Sequence, residues 1–190
     1  MCAQPCESYV CVSALEWMFS AVYQSILAQA FLLVIIGSIF RPGERNKEFT
    51  WILLVSMSIM VVVSTFTPAI GKVGQLGSGY VDAIHAIRSG AWRVFTYARA
   101  EGIVTFPSYH AALAIIFVYI STRPDLRVVA IPFALLNFLM LLSIPPIGGH
   151  YLVDLLGGAA VALVSIMTVR VAQTATRGAA GLHAPMSLRR

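Results

Sequence analysis

The sequence predicts an all-α fold, a multi-pass transmembrane helix bundle with about five spanning helices and one amphipathic interfacial helix. Three observations lead there. Hydrophobic residues make up 58% of the 190 positions and charged residues 11%, where soluble domains average about 45–50% and about 25%; mean hydropathy is +0.82. Uncharged apolar stretches of membrane-spanning length recur along the chain. They lack the period-two alternation of a membrane barrel, and lipid offers the backbone no hydrogen-bond partner, so they must satisfy it as helices. A soluble globule of this size could not bury so much apolar surface, and the composition excludes a disordered chain.

A helix needs roughly 20 apolar residues to cross a ~30 Å hydrocarbon layer. Trp17–Phe40, Phe49–Ile70, Gly102–Thr122 and Val128–Gly149 contain no Asp, Glu, Lys or Arg, and Tyr151–Val169 contains a single acid, Asp154. The expected spans are about 17–40, 49–70, 104–122, 128–147 and 150–169, within one transmembrane domain over 17–170. Residues 1–16 read as an outer-facing N-terminal stretch. It lacks the basic start of a secretory signal, and an outside N-terminus of this kind leads us to expect a further helix upstream. Cys2, Cys6 and Cys11 cluster there, on the side where a disulfide is allowed, but their spacing is not that of a zinc site. Residues 171–190 read as a basic, disordered cytoplasmic tail.

The net charge of +5 maps onto the bilayer rather than onto a nucleic acid, and no nucleic-acid partner is expected. Arg41, Arg45 and Lys47 lie in the connection 41–48, Arg123 and Arg127 in the connection 123–127, and Arg170, Arg177, Arg189 and Arg190 at the C-terminus. All of these fall on one side, which the positive-inside rule makes cytoplasmic. The remaining basic residues, Lys72, Arg88, Arg93 and Arg99, lie in the outer segment 71–101. There, Tyr80–Ala100 carries helical periodicity. Ile84, Ile87, Ala91, Val94, Phe95 and Ala98 share a face, with His85, Arg88, Trp92 and Arg99 beside it. The pattern predicts an interfacial helix on the outer leaflet. Its arginines either hold lipid head groups or point inward, where Arg88 and Arg99 could clamp a substrate phosphate with their planar donor forks.

His110 and His150 both fall where an outside-to-inside helix begins. Pro107 suits a first turn and Ser108 can cap it. Free N–H groups and the helix dipole favour an anion at each start, so the two together predict a phosphate pocket that includes Ser108 and Gly149. The four-residue spacing of His150 and Asp154 puts them on one helix face. A carboxylate there can accept the Nδ1–H, fix the tautomer and leave Nε2 free as nucleophile or base. An aspartate inside a span is costly unless paired, so it reads as functional; the plain alternative is a structural Asp–His pair. Gly148, Gly149, Gly157 and Gly158 permit close backbone approach.

Pro107-Ser108-Tyr109-His110, followed by Gly149-His150-Tyr151-x2-Asp154-x2-Gly157, resembles the type 2 phosphatidic acid phosphatase superfamily. The fuller pattern, from Phe106 through Ala111, Ala112 and Ala114 to Gly148-Gly149-His150-Tyr151, is most similar to its inositol phosphorylceramide synthase-like branch. Some superfamily features are missing. There is no Lys-x6-Arg-Pro motif: Arg41-Pro42 and Arg123-Pro124 have Val34 and Ile116 where the lysine would be. Tyr109 stands where the second motif usually has Gly, and Ile144 where the third usually has Arg. The synthase-like branch also tends to lack these cations.

The resemblance implies a membrane-embedded phosphatase or phosphotransferase, acting on lipid-linked phosphate at the outer or lumenal face of the cell membrane. His150 would attack phosphorus to give a phosphohistidine, His110 would protonate the leaving alcohol, and Asp154 would orient His150. Water, a lipid or a polyol alcohol would then accept the phosphoryl group. No metal or other cofactor is expected. Two other readings are an isoprenyl pyrophosphate phosphatase of the same superfamily and a non-catalytic transport or assembly subunit.

Overall fold

The computed structural model describes residues 6–40, 44–67, 85, 89–90 and 106–182. In chain order these form α1 (Cys6–Gln24), α2 (Ile26–Phe40), α3 (Glu44–Phe66), α4 (Tyr109–Ser121), a 3₁₀ turn (Pro124–Leu126), α5 (Arg127–Ile147) and α6 (Leu152–Leu182). There is no strand among the described residues. Asn46–Phe66, Arg127–Ile147 and Leu152–Thr176 are each long and apolar enough to cross a membrane, and α1 with α2 makes a fourth span if the bent pair is taken as one. The architecture is the multi-pass helical bundle that the apolar runs predict.

The apolar run 17–40 is not one straight helix. It bends by 46° between Gln24 and Ile26. The Ser25 hydroxyl donates to the Val22 carbonyl at 2.6 Å, and the Ser25 N–H is shared between Ala21 and Val22. Side-chain back-bonding of this kind competes with the helix ladder and bends it. Two buried amides brace the bend. Gln29 donates to Ser25 Oγ at 2.9 Å, and Asn137 of α5 donates to Gln29 Oε1 at 2.8 Å.

The centre of the bundle is α4, which packs on α5 and α6 and is flanked by α2 and α3; α1 lies against α5, and α3 against α6. Ala111, Ala112 and Ala114 are fully buried on it, and such small residues let helices approach closely where lipid supplies no hydrophobic drive. Phe117 meets Phe49 of α3 edge to face at 6.0 Å. The 13 residues of α4 rise only about 20 Å at 1.5 Å each, shorter than the 104–122 run suggested. Phe106, Pro107 and Ser108 form a non-helical turn before it.

Three further differences have physical causes. First, α1 begins at Cys6 and α6 runs on to Leu182, into stretches read as an N-terminal extension and a disordered tail. A helix need not stop at a charge, and the Ala-rich sequence after Arg170 has good helix propensity. Second, His85, which is exposed, is helical, but Ser89 and Gly90 form a turn with Gly90 at φ +71°. This is a left-handed conformation that commonly ends a helix, so the periodicity over 80–100 does not describe one unbroken helix. The rest of the segment, with Arg88 and Arg99, lies outside the described residues, as does Cys2. Third, His150 precedes α6 instead of lying on it, which changes how it meets Asp154.

At the far end of α4, Arg123 is ion-paired with Glu48 of α3. It also donates to the Tyr119 hydroxyl at 2.6 Å, which donates to Glu48 at 2.9 Å. This cluster brings the connections before α3 and after α4 to one end of the bundle, as the distribution of basic residues requires. Cysteines introduced as Arg45→Cys and Asp125→Cys should therefore react with an impermeant thiol reagent from the same side of sealed vesicles. Labelling from opposite sides would contradict this packing.

Candidate active site

The site is built from the starts of α4 and α6. Ser108 is the N-cap of α4, with φ −74° and ψ 112°, and its Oγ accepts the Ala111 N–H at 3.4 Å. The hydroxyl expected at a phosphate is thus engaged in holding the helix start. His110 is the second residue of α4. Its neighbour Tyr109 turns into the bundle, where its hydroxyl shares a 3.4 Å hydrogen bond with Ser56 of α3. The tyrosine in place of the usual motif glycine is accommodated by the core.

On the other side, α5 ends at Gly148, whose N–H donates to the Ile144 carbonyl at 2.8 Å. Gly149 follows at φ +66°, a left-handed conformation that glycine adopts without steric cost. His150 comes next and is 8% exposed; Asp154 is 2% exposed. Tyr151 occupies the N-cap position of α6, and Asp154, three residues on, accepts the Tyr151 N–H on Oδ2 at 2.8 Å. This is the return half of a capping box, in which the third helical residue satisfies the cap's own donor. The same Oδ2 lies 3.5 Å from His150 Nδ1. The sequence correctly pairs the two residues, but the capping turn, not a shared helix face, makes the pair. His150 Nδ1 is buried without a hydrogen-bond partner, with the carboxylate poised just beyond a good bond length.

The two halves are locked together. The Ser108 N–H donates to the Asp154 carbonyl at 2.9 Å. A Cβ at Gly158 would overlap the Ser108 carbonyl oxygen, and one at Gly157 would come within 2.6 Å of the Phe106 ring. The helix starts therefore lie side by side at one level, their N-termini favouring the same anion.

A residue of α1, missed in the sequence, completes the arrangement. The Tyr23 ring stacks on His110 with centroids 3.9 Å apart and planes 13° apart. Its Cε2 edge reaches to 3.0 Å from where a Gly148 Cβ would stand, and His150 Cδ2 to 2.9 Å from the same point. Tyr23 sits in an uncharged run, and only nearby polar residues such as Gln24, Ser25 and Gln29 signal anything other than lipid-facing helix.

Arg123 is at the other end of α4 from His110, and Ile144, at the motif's arginine position, is fully buried. Neither position gives the site a cation. Among the described residues there is no group of three or more His, Cys, Asp or Glu able to hold a metal ion.

An all-helical multi-pass membrane protein that gathers two histidines and an aspartate at paired helix starts defines the class. The family model of the PAP2 superfamily matches residues 8–168, and the chain belongs to that superfamily. No curated protein and no solved structure matches the chain. Superfamily members are phosphatases and phosphotransferases, so membership supports an enzyme, a lipid phosphoesterase of the phosphatase type.

The lock between the halves is directly testable. Gly158→Ala sets a methyl group against a backbone oxygen and should cost about 1–3 kcal/mol of stability, the range for overpacking. Gly157→Ala meets the outer edge of a phenyl ring that can swing aside and should cost less. Thermal unfolding in detergent micelles reads both.

Proposed function

We propose that the chain is a membrane phosphoesterase or phosphotransferase that works on a lipid-linked phosphate at the outer or lumenal face, through a phosphohistidine. The observation that carries this reading is the pairing of the two histidine-bearing helix starts, joined by the Ser108–Asp154 backbone bond with the Asp154 carboxylate 3.5 Å from His150 Nδ1. His150 Nε2 attacks phosphorus, and the P–N bond forms as the bond to the leaving oxygen breaks. That oxygen takes a proton from His110. Water or an alcohol then attacks phosphorus and gives its proton to His110, and the P–N bond breaks. Asp154 stabilises the His150 imidazolium that exists between the two steps. The helix N-termini and an arginine stabilise the equatorial oxygens.

The inositol phosphorylceramide synthase-like branch is the finer assignment. Its support is the run Phe106 to Ala114, the Gly148-Gly149-His150-Tyr151 turn, and the apolar residues at the phosphatase branch's cation positions. The acceptor is then a lipid or polyol alcohol, with water as the alternative. Isoprenyl pyrophosphate hydrolysis is the competing activity within the superfamily.

The deciding experiment offers purified protein phospholipids and polyprenyl phosphates, with and without alcohol acceptors, and identifies products by mass. No product from any donor would favour a non-catalytic role. His150→Ala should abolish turnover and any trapped phosphoenzyme. His110→Ala should slow turnover of alkyl esters about 10²–10⁴-fold, yet spare the first-turnover burst of nitrophenolate from nitrophenyl phosphate, whose leaving group needs no proton. Asp154→Asn should retain the helix cap through its amide oxygen while losing rate through the wrong tautomer. A phosphoryl adduct mapped to residue 110 would reverse the assignment of roles.

The positive charge at the phosphate is assigned to Arg88 or Arg99. Arg123 follows the end of α4 away from His110, Arg127 begins α5 at the end away from Gly148, and Arg170 is exposed and about five turns into α6. Replacing the functional arginine with Ala should cost roughly 2–4 kcal/mol of transition-state stabilisation, and Arg93→Ala far less. Equal, mild losses at all three in kcat/KM would mean that they hold lipid head groups only.

A further inference from the structure

We propose that Tyr23 is a positioning residue for His110: its ring sets the plane of the imidazole and so the direction in which that histidine delivers its proton. The inference rests on the acid role proposed for His110. The two histidines are held in different ways. His150 has the Asp154 carboxylate beside Nδ1. His110 has no hydrogen-bond partner among the described residues, and its face-to-face contact with Tyr23 is the interaction that defines its ring plane. A flat imidazole on a χ2 torsion with broad, soft minima takes its orientation from such a neighbour. Proton transfer in turn depends on the nitrogen pointing within hydrogen-bond reach of the leaving oxygen.

Tyr23 is itself placed by a device that simple packing would not need. It lies two residues before the bend at Ser25. The bend is braced by the chain from the Ser25 hydroxyl through Gln29 to Asn137, with both amides buried in the bundle. Polar side chains are costly inside a membrane bundle and are kept where they fix something. Here they fix the angle at which the end of α1 crosses the site. The same ring edge comes within 3.0 Å of where a Gly148 Cβ would stand, so one side chain from α1 adjoins both histidine-bearing segments. A larger residue at 148 would displace it.

The test compares Tyr23→Leu, which removes the stacking face, with Tyr23→Phe, which keeps it and removes only the hydroxyl. The probes are dioleoyl phosphatidate, read by turnover, and p-nitrophenyl phosphate, read by its first-turnover burst of nitrophenolate, both in detergent micelles. Tyr23→Leu should lower kcat for phosphatidate about 10- to 100-fold, the range for a misplaced catalytic group. The rate of the nitrophenolate burst should stay close to wild type, which also verifies the fold. Tyr23→Phe should behave as wild type on both, and Tyr23→Leu combined with His110→Ala should be no slower than His110→Ala alone.

An equal loss on both probes, or a Tyr23→Phe variant as slow as Tyr23→Leu, would overturn the proposal. A second measurement needs no turnover. In protein with isotope-labelled histidine, the His110 ring protons should move downfield in Tyr23→Leu and stay in place in Tyr23→Phe; an unmoved signal in Tyr23→Leu overturns the stack. If His110→Ala itself slows both probes alike while the signal moves as expected, it is the acid role of His110 that fails. Tyr23→Met, matched in length and without a ring face, carries the same measurements should Tyr23→Leu not fold.

Discussion

The contact on which the site depends is a single backbone hydrogen bond, from the Ser108 N–H to the Asp154 carbonyl. It joins a residue that caps one helix to the residue whose side chain caps another. It forms only because Gly157 and Gly158 leave the flank of α6 bare, so that the Phe106-Pro107-Ser108 turn settles directly on helix backbone. With that approach fixed, α4 and α6 must run in the same direction with their starts level. Each donates unsatisfied N–H groups toward the same side. His110, one residue into α4, and His150, just before α6, are then carried to neighbouring positions without any direct bond between them.

The bundle divides its polar groups by end. The Glu48, Tyr119 and Arg123 cluster closes the end of α4 away from the histidines. Between the ends, the Ser25, Gln29 and Asn137 chain links two helices through side-chain hydrogen bonds, while the buried hydroxyls of Ser143 and Ser165 bond back to their own helices. At the other end, His110 is half-buried and His150 buried. A lipid substrate fits a phosphatase-type site surrounded by helices whose outer faces are exposed and apolar.

Much of this was legible in the sequence because lipid makes helix formation nearly compulsory for a long apolar run. The histidine motifs were legible for a related reason: a Pro-Ser start and a Gly-Gly turn have few local conformations open to them. The rest depended on contacts distant in sequence. Nothing local announces that Tyr23 faces a histidine nearly ninety positions on (position 110). The Ser25 bend needs Asn137 to brace it, and serine alone in a span is common enough to pass unnoticed. The spacing of His150 and Asp154 gave the right pair for the wrong reason. Four residues suggested one helix face, whereas the chain enters the helix between them and a capping turn closes the distance. The Ser89–Gly90 turn shows the limit of periodicity, which reads faces well and breaks poorly.

The capping turn also explains why an aspartate suits position 154 better than a neutral acceptor. One oxygen, Oδ2, both takes the Tyr151 N–H and lies within 3.5 Å of His150 Nδ1. The N–H bond holds the carboxylate beside the imidazole, and the second contact is the longer of the two. In the reaction proposed above, attack by Nε2 makes the imidazole cationic, and a charge-assisted bond to a carboxylate is both shorter and about twice as strong as a neutral one. The contact therefore strengthens as the phosphoryl group arrives and relaxes as it leaves. An interaction of that kind lowers the barrier without tightening the resting state. A shorter ground-state bond would have stabilised the free enzyme as well and contributed less to the rate.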